Sequence, residues 1–189
     1  MEISDHELMQ RIKNEDITAF DILVKRWEHK LFNVVYKVIF DIETTRDICQ
    51  EVFLQVYKSA KKYNPSGQFE QWLYRIAINR CINELRKGNH CKAYSLHEID
   101  DDMQLPYEDN LIDPKPKPDE AIQQDEVISF VQNALKNLPP DQRIIVVLRH
   151  YEGLKFQQIA EILNCPLGTV KSRMRSALDK LRIMLKHLV

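Results

Sequence analysis

The sequence contains little glycine, 4 residues in 189, and no apolar run near the ~20 residues that a membrane-spanning helix needs. Its first residues, Met-Glu-Ile-Ser-Asp, lack the apolar core of a signal peptide. We therefore predict a cytoplasmic protein with no membrane insertion. The apolar residues recur at helical spacing along most of the chain, so the predicted fold class is all-α.

Cysteine is also sparse, with 4 residues and no C-x-x-C pair, whereas structural zinc sites use closely spaced ligand pairs. Only Cys81, His90 and Cys91 form a cluster, and we predict inert thiols and no metal. A phosphate-binding glycine loop and a Ser-His-Asp set are lacking as well, and the histidines are scattered. These absences predict a protein that is not an enzyme and has no cofactor.

The charge is unevenly distributed behind a net value of -1. Residues 1–92 hold 15 Lys/Arg and 13 Asp/Glu, residues 93–126 hold 2 and 11, and residues 127–189 hold 10 and 4. An acidic middle and a basic end are typical of nucleic-acid-binding proteins. We predict two small helical domains, 1–90 and 125–189, joined by a flexible acidic linker, 91–124, that contains several prolines.

Residues 156–185 predict two helices with a tight break between them at Asn164-Cys165-Pro166. The second helix has one apolar side and one polar, cationic side. This pattern predicts a helix-turn-helix whose second helix suits a DNA major groove. The alternative is an ordinary helical hairpin with a solvated basic face.

The N-terminal half predicts four helices. Ser4 and Glu7 have the spacing of a capping box, and a longer helix spans Asp16 to Phe40. The next begins near Thr44 or Thr45, either of which could cap it, and exposes acidic residues that are either solvated or a docking face for a partner.

The stretch 69–87 mixes aromatic, Arg and Asn residues along one predicted helix. Rings stack on unpaired bases, amides bond base edges and cations hold phosphates, so the pattern suits single-stranded nucleic acid. The alternative is that these aromatic residues are core.

Three motifs in the same order resemble bacterial sigma factors. Residues 47–53, DICQEVF, resemble the D-[IL]-x-Q-E-x-F signature, and 69–79 resembles the helix that melts and recognises promoters. Residues 138–147 and 166–173 resemble the C-terminal sigma domain, with the spacing of the two-domain extracytoplasmic-function subgroup.

The resemblance implies a factor that binds core RNA polymerase, directs it to promoters and helps to melt the minus-ten region. Contacts to the clamp helices of the polymerase large subunit are implied for Asp47, Gln50, Glu51 and Phe53. Contacts to the non-template strand of minus-ten promoter DNA are implied for Asn64, Ser66, Gln68, Trp72, Arg75, Asn79, Arg80 and Asn83.

Contacts to the duplex minus-thirty-five element are implied for Thr169, Lys171, Ser172, Arg173, Arg175 and Ser176. Arg173 lies at the edge of the apolar stripe, so we expect it to contact a phosphate or a carboxylate of its own domain. Relatives often carry Arg where this chain has Ser176, so their promoter preference does not transfer. The subgroup also implies an anti-sigma protein as a partner.

The acidic linker suggests a further hypothesis about how the chain contacts the polymerase. Polymerase channels that hold RNA are positively charged, so Asp100, Asp101 and Asp102 could occupy one as an RNA mimic. The plain alternative is a disordered spacer, ending where a helix resumes at Pro118 or Asp119. Further on, we expect Pro139-Pro140 to end that helix and Asp141 to cap the next.

A dimeric helix-turn-helix regulator is the alternative function. It accounts for residues 156–185 and predicts tight binding to a palindromic duplex, but it leaves residues 44–87 without a purpose.

Overall fold

The computed structural model describes residues 3–64, 67–91 and 118–186. Ser66 and the acidic residues Asp100, Asp101 and Asp102 lie outside these ranges. Within them the chain is helical and contains no strand, which confirms the predicted fold class. The helices are α1 (Asp5–Lys13), α2 (Ile17–Ile39), α3 (Ile42–Ser59), α4 (Phe69–Cys91), α5 (Pro118–Lys136), α6 (Pro140–Val146), α7 (Phe156–Leu163) and α8 (Leu167–Met184).

Helices α1 to α4 form the N-terminal domain around the buried stripe of α2. Leu23, Leu31 and Val35 of that stripe have no exposed surface, as their helical spacing predicts. The predicted capping box begins α1, since the Ser4 hydroxyl accepts from the Glu7 amide and the Glu7 carboxylate accepts from the Ser4 amide. None of the described helices is long and apolar enough to cross a membrane.

The start of α3 differs from the prediction. Asp41 is its cap, and the Asp41 carboxylate accepts from the Thr44 amide at 2.7 Å. Thr45 is buried, and its hydroxyl donates to the Asp41 carbonyl oxygen at 2.6 Å. Thr44 and Thr45 already lie inside the helix, so neither can cap it.

Helices α5 to α8 form the C-terminal domain. Helix α5 begins at Pro118, so residues 118–124 of the predicted linker are helical. Helix α6 continues as a π-helical turn, Val147–Tyr151, and the chain then turns at Gly153 with φ +66°. Pro139, not Asp141, stands at the cap position of α6, and no side chain bonds there. The Asp141 carboxylate is instead paired with Arg173 of α8.

The two domains pack against each other through Arg143, which is 7% exposed. Its guanidinium donates to the Val38 carbonyl oxygen at the end of α2 at 2.6 Å. It also donates to the carbonyl oxygens of Lys136 and Leu138, at 2.9 and 3.1 Å, and lies over the Phe40 ring. One side chain therefore satisfies carbonyls of both domains.

A second contact between the domains joins α4 to the loop before α7. The Tyr74 hydroxyl donates to the Glu152 carboxylate at 2.5 Å, and burial and that carboxylate raise the pKa of Tyr74. Nearby, the Lys37 ammonium lies 4.8 Å from the centre of the Tyr151 ring, and burial lowers the pKa of Lys37. One continuous set of buried side chains extends through both domains.

Candidate nucleic-acid interface

Helix α3 presents a row of exposed residues at helical spacing, which we call the α3 stripe. Leu54 and Tyr57 in this row are 56% and 40% exposed. Carboxylates and two large apolar side chains thus share one solvent-facing surface. The members of the α3 stripe are Asp47, Gln50, Glu51, Leu54 and Tyr57.

Phe53 does not belong to this surface. It is 9% exposed and packs in the core with Cys49, Val52 and Val56 of the same helix. The polymerase contact at Phe53 stays a prediction, and in this structure the ring supports the helix from beneath. Leu54 and Tyr57, which the sequence analysis did not select, are exposed on the same side of α3, as their spacing from Gln50 predicts.

An aromatic cluster surrounds the start of α4. The ring of Trp72 lies 5.0 Å from that of Tyr63 and 5.8 Å from that of Phe69, and Phe69 also contacts Trp27. The Tyr63 hydroxyl is hydrogen-bonded to the His6 ring at 2.6 Å, and burial raises the pKa of Tyr63 to about 12. Trp72 is half-buried, so its indole is held in place while part of it faces solvent.

The solvent side of α4 forms the α4 polar face, defined as Trp72, Arg75, Asn79, Arg80 and Asn83. Arg75, Asn79 and Asn83 are exposed one turn apart. The opposite side is core, and of the aromatic residues in this stretch Phe69 and Tyr74 are buried whereas Trp72 is half-buried. Its buried members are Leu73, Tyr74, Ala77, Ile78 and Cys81.

The α4 polar face adjoins the α3 stripe. The Arg80 guanidinium lies 3.1 Å from the Glu51 carboxylate, and both side chains are about half exposed. At the other end, Asn64 and Gln68 are exposed, and the Gln68 side-chain oxygen accepts from Gln71 and from Gln158 of α7. The structure thus brings the predicted minus-ten residues of α4 to one side of that helix, and Gln68 lies directly before its first residue.

Helices α7 and α8 form the predicted helix-turn-helix. Asn164 ends α7 in the left-handed conformation with φ 49°, and the Cys165 amide donates to the Ala160 carbonyl oxygen. Ala160, a small residue within α7, is buried. Pro166 precedes the first residue of α8, where its missing amide hydrogen costs nothing.

The outer side of α8 is only partly free for DNA. Lys171, Ser172 and Arg175 are exposed. Arg173 is paired with Asp141 at 3.1 Å, which confirms the expected contact with a carboxylate of its own domain. Ser176 accepts from the Gln142 side chain at 3.2 Å and therefore faces α6.

The described residues include no cluster of three or more His, Cys, Asp or Glu side chains that could hold a metal. Cys49 and Cys81 are free and buried, and burial raises the pKa of each thiol to about 12. Cys81 therefore belongs to the core, while the side chains of His90 and Cys91 lie outside the described part of the chain.

Fold and surfaces together define a DNA-binding protein with two helical domains, one carrying an aromatic and cationic face and the other a helix-turn-helix. Residues 23–90 match the family described as Sigma-70 region 2, and residues 131–181 match Sigma-70, region 4. The first match covers most of α2, all of α3 and all but the last residue of α4, and the second covers all of α7 and α8 as far as residue 181.

Curated relatives agree with these matches. The RNA polymerase sigma-H factor of Pseudomonas aeruginosa is 32% identical over 180 residues, which cover 93% of this chain and 92% of the relative. The sigma factor SigW of Bacillus subtilis is 29% identical over 188 residues, covering both chains fully. The chain belongs to the sigma factors of RNA polymerase, in the extracytoplasmic-function group, and it serves promoter-directed initiation of transcription.

Two solved structures share the fold. The sigma factor RpoE of Bartonella quintana, in complex with the anti-sigma factor NepR, matches with a TM-score of 0.68 at 20% identity, over 88% of this chain and 96% of that one. CnrH in complex with the cytosolic domain of CnrY matches with a TM-score of 0.66 at 19% identity, over 97% of each chain. A dimeric helix-turn-helix regulator is not favoured, because it gives no account of the region 2 match.

Proposed function

We propose that the α3 stripe docks on the clamp helices of the RNA polymerase large subunit. The α4 polar face then holds and reads the non-template strand of the minus-ten element, and α8 enters the major groove of the minus-thirty-five element. The observation that carries this proposal is the contact between Glu51 and Arg80, which places the first two surfaces side by side on one packed domain.

The α3 stripe has the chemistry of a docking surface. Leu54 and Tyr57 supply exposed apolar area, and Asp47 and Glu51 supply charge that selects a basic partner. Interfaces of this kind take most of their affinity from a few large side chains, while charges set orientation and rate. Phe53 enters the proposal only as the buried support of the helix.

The α4 polar face suits bases taken out of a duplex. Trp72 offers a ring that is already held by Tyr63 and Phe69, so little ordering is needed when a base stacks on it. Asn79 and Asn83 can bond base edges, and Arg75 can hold phosphate. Stacking offsets the few kcal/mol that unstacking costs, so no nucleotide hydrolysis is needed.

Within α8, we assign direct DNA contacts to the exposed side chains Lys171, Ser172 and Arg175, with Thr169 at the start of the helix. Arg173 acts through Asp141 by fixing α8 against α6. The Ser176 hydroxyl accepts a hydrogen bond from Gln142, so Ser176 can contact DNA only if that hydrogen bond breaks.

The remaining assignments complete the proposal. The chain works in the cytoplasm as two domains without a cofactor or a reaction of its own. The predicted bounds, 1–90 and 125–189, are extended by the ends of α4 and α5, so residues 92–117 join the domains. We also propose that an anti-sigma protein inhibits the chain. Of the two solved proteins of the same fold, RpoE is bound to the anti-sigma factor NepR and CnrH is bound to the cytosolic domain of CnrY.

Run-off transcription with purified core polymerase on genomic fragments tests the function. Glu51→Lys reverses a charge in the α3 stripe and should weaken binding to core polymerase at least about tenfold, since like charges face each other in the complex. Glu28→Lys makes the same charge change at an exposed position of α2 and should leave binding within about twofold. Equal losses in the two variants would contradict docking through α3.

Promoter contacts are tested separately. Arg175→Ala should reduce initiation at promoters that need the minus-thirty-five element by about 5- to 150-fold, because one good base contact is worth ~1–3 kcal/mol. Ser172→Ala should act in the same direction, and neither should change the affinity for core polymerase. Arg182→Ala removes a charge farther along the same helix and should have little effect. A loss of core binding in Arg175→Ala would argue against separate surfaces.

A further inference from the structure

Helix α1 contacts the aromatic cluster at the start of α4, although α1 lies outside the stretch that matches the family. It spans Asp5–Lys13, whereas the match to Sigma-70 region 2 begins at residue 23. The Asp5 carboxylate accepts from the Trp27 indole at 3.2 Å, and the next residue, His6, is hydrogen-bonded to the Tyr63 hydroxyl at 2.6 Å. Two successive side chains of α1 therefore bond the polar groups of two aromatic residues.

The bond between His6 and Tyr63 restricts the orientation of the Tyr63 ring. Both side chains are half-buried, and the imidazole also stacks on the ring, with centroids 5.8 Å apart and an angle of 29° between the planes. Burial raises the pKa of Tyr63 to about 12, and the charge of Asp5 acts in the same direction, so the hydroxyl keeps its proton. The bond forms in either tautomer of the neutral imidazole, because Nδ1 then accepts from the hydroxyl or donates to it.

Tyr63 in turn restricts Trp72. The two rings meet edge-on with centroids 5.0 Å apart, and Tyr63 also packs edge-on against Phe69 at 6.1 Å. Trp72 belongs to the α4 polar face and has part of its indole toward solvent. A continuous series of contacts therefore joins the first turn of α1 to the indole that we propose stacks on a base.

Resting on the proposed function, we propose that His6 is a positioning residue for base stacking. It acts through Tyr63, whose ring keeps the Trp72 indole in the orientation that a base of the single strand meets. Asp5 supports the same cluster by a second route, because it bonds Trp27 and the Trp27 ring lies 5.6 Å from that of Phe69. Helix α1 thus contributes to nucleic-acid binding without itself contacting the strand.

The size of the effect follows from the order that binding would otherwise have to create. Immobilising one side chain at an interface weakens binding by about two- to tenfold. A chain in which Tyr63 and Trp72 are already ordered avoids this loss. Removing the bond to His6 should therefore weaken the binding of single-stranded DNA by about two- to tenfold, and should not abolish it, because the rings still pack.

The affinity is measured on the full-length chain by fluorescence anisotropy. The probe is a fluorescein-labelled pool of random-sequence single-stranded DNA of about ten nucleotides, because stacking tolerates any base. Tyr63→Phe and His6→Ala remove opposite ends of one bond, so each should weaken binding and the double variant should lose no more than either alone. In a Trp72→Leu background, which lacks the stacking ring, neither change should have any further effect.

Two comparisons separate positioning from general damage to the domain. His6→Asn should recover most of the affinity lost in His6→Ala, because its amide can bond the Tyr63 hydroxyl from near the position of Nδ1. Tyr36→Phe is the matched control for Tyr63→Phe. It removes a hydroxyl from a ring that stacks on Phe32 farther along α2, and it should leave the affinity unchanged.

Fluorine NMR observes the indole directly. The chain contains two tryptophans, so labelling with fluorotryptophan gives two signals, which Trp72→Phe assigns. Without DNA, Tyr63→Phe and His6→Ala should shift or broaden the Trp72 signal more than the Trp27 signal. Tyr36→Phe should leave both signals in place.

The possible failures are distinguishable. If Tyr63→Phe and His6→Ala bind DNA like the parent chain while Trp72→Leu binds weakly, the proposed function stands and the role of His6 is removed. Equal losses in His6→Asn and His6→Ala would also overturn the inference, as would a loss that persists in the Trp72→Leu background. Failure of the proposed function appears instead as a Trp72→Leu variant that binds DNA like the parent chain, and the role of His6 then falls with it.

Discussion

Arg143 shows how one residue can carry tertiary structure that no local pattern reveals. Its guanidinium bonds the end of α2 and the end of α5 at once, while remaining almost fully buried. Burial lowers the pKa of Arg143, yet an arginine stays charged in proteins, so the bonds are charge-assisted. The planar fork of guanidinium donors suits several carbonyls in fixed positions, which the single ammonium of lysine does not match.

We expect Arg143→Met to lower the free energy of unfolding by about 3 kcal/mol, because buried carbonyls at two helix ends lose their donor. Arg143→Lys should recover less than half of that loss. Urea unfolding followed by circular dichroism measures both. Arg173→Met is the control, since the Arg173–Asp141 pair is much more exposed and should cost less than about 1 kcal/mol. Similar losses in the free energy of unfolding for Arg143→Met and Arg173→Met would show that burial of Arg143 does not matter.

Among the elements, α3 shows what a cap contributes. Asp41 is exposed, and bonds from the Thr44 side chain and amide hold the pKa of the Asp41 carboxyl below its ordinary value. A lowered pKa in the folded state means that the charged form stabilises the fold. This contribution is complete above the pKa of the unfolded chain, ~3.9, and is lost as the pH falls through the lower folded value.

Asp41→Ala should therefore reduce the free energy of unfolding by about 1 kcal/mol at neutral pH. The difference from the parent chain should shrink as the pH is lowered below ~3.9, because the parent carboxylate becomes protonated there. Asp41→Asn caps without a charge and should stay close to the parent at neutral pH. Thermal unfolding across a pH series provides the measurement, and a difference that does not change with pH would contradict the assignment.

The sequence predicted those elements that depend on the spacing of residues along one helix or turn. The buried stripe of α2, the capping box of α1 and the break between α7 and α8 all depend on neighbours within one or two turns, and all are confirmed. Short-range signals could not separate Phe53 from Leu54, because one position is about 100° of rotation and either residue could face the core. The packing of α2 and α4 around α3 decides between them.

Asp141 and Ser176 were predicted incompletely for a related reason. Asp141 precedes a helical run and so has the sequence features of a cap, but its carboxylate bonds Arg173 on another helix. Ser176 has the spacing of a DNA contact, but Gln142 binds its hydroxyl. Both outcomes depend on how α6 crosses α8, which no pattern within either helix specifies.

At the scale of the whole molecule, the packing of the two domains is the feature with most consequence. Helix α4 has one face toward solvent and another covered by the C-terminal domain, where Tyr74 bonds Glu152. The ring of Tyr74 also packs edge-on against Trp27, 6.2 Å away. The hydroxyl of Tyr74 is thus a contact between domains, whereas its ring is a contact within one.

Tyr74→Phe separates these two contacts. It keeps the ring but removes the donor to Glu152, so the packed arrangement should lose about tenfold in population relative to separated domains, the value of one bond to a charged group. Small-angle X-ray scattering should show a larger radius of gyration. Tyr57→Phe, which removes an exposed hydroxyl on α3, serves as the control. An unchanged radius in Tyr74→Phe would mean that this bond does not hold the domains together.

The packed arrangement also limits how the protein can lie on a promoter. Elements 25 base pairs apart are separated by about 85 Å of duplex, since each pair adds ~3.4 Å. A compact chain of this length has a radius of gyration of about 16 Å, so it is roughly half as wide as that distance. Residues 92–117, fully extended, could bridge on the order of 90 Å. Binding both promoter elements at once therefore requires the arrangement in which the two domains are separated. The apparent affinity for a promoter is reduced to the extent that the free molecules have packed domains.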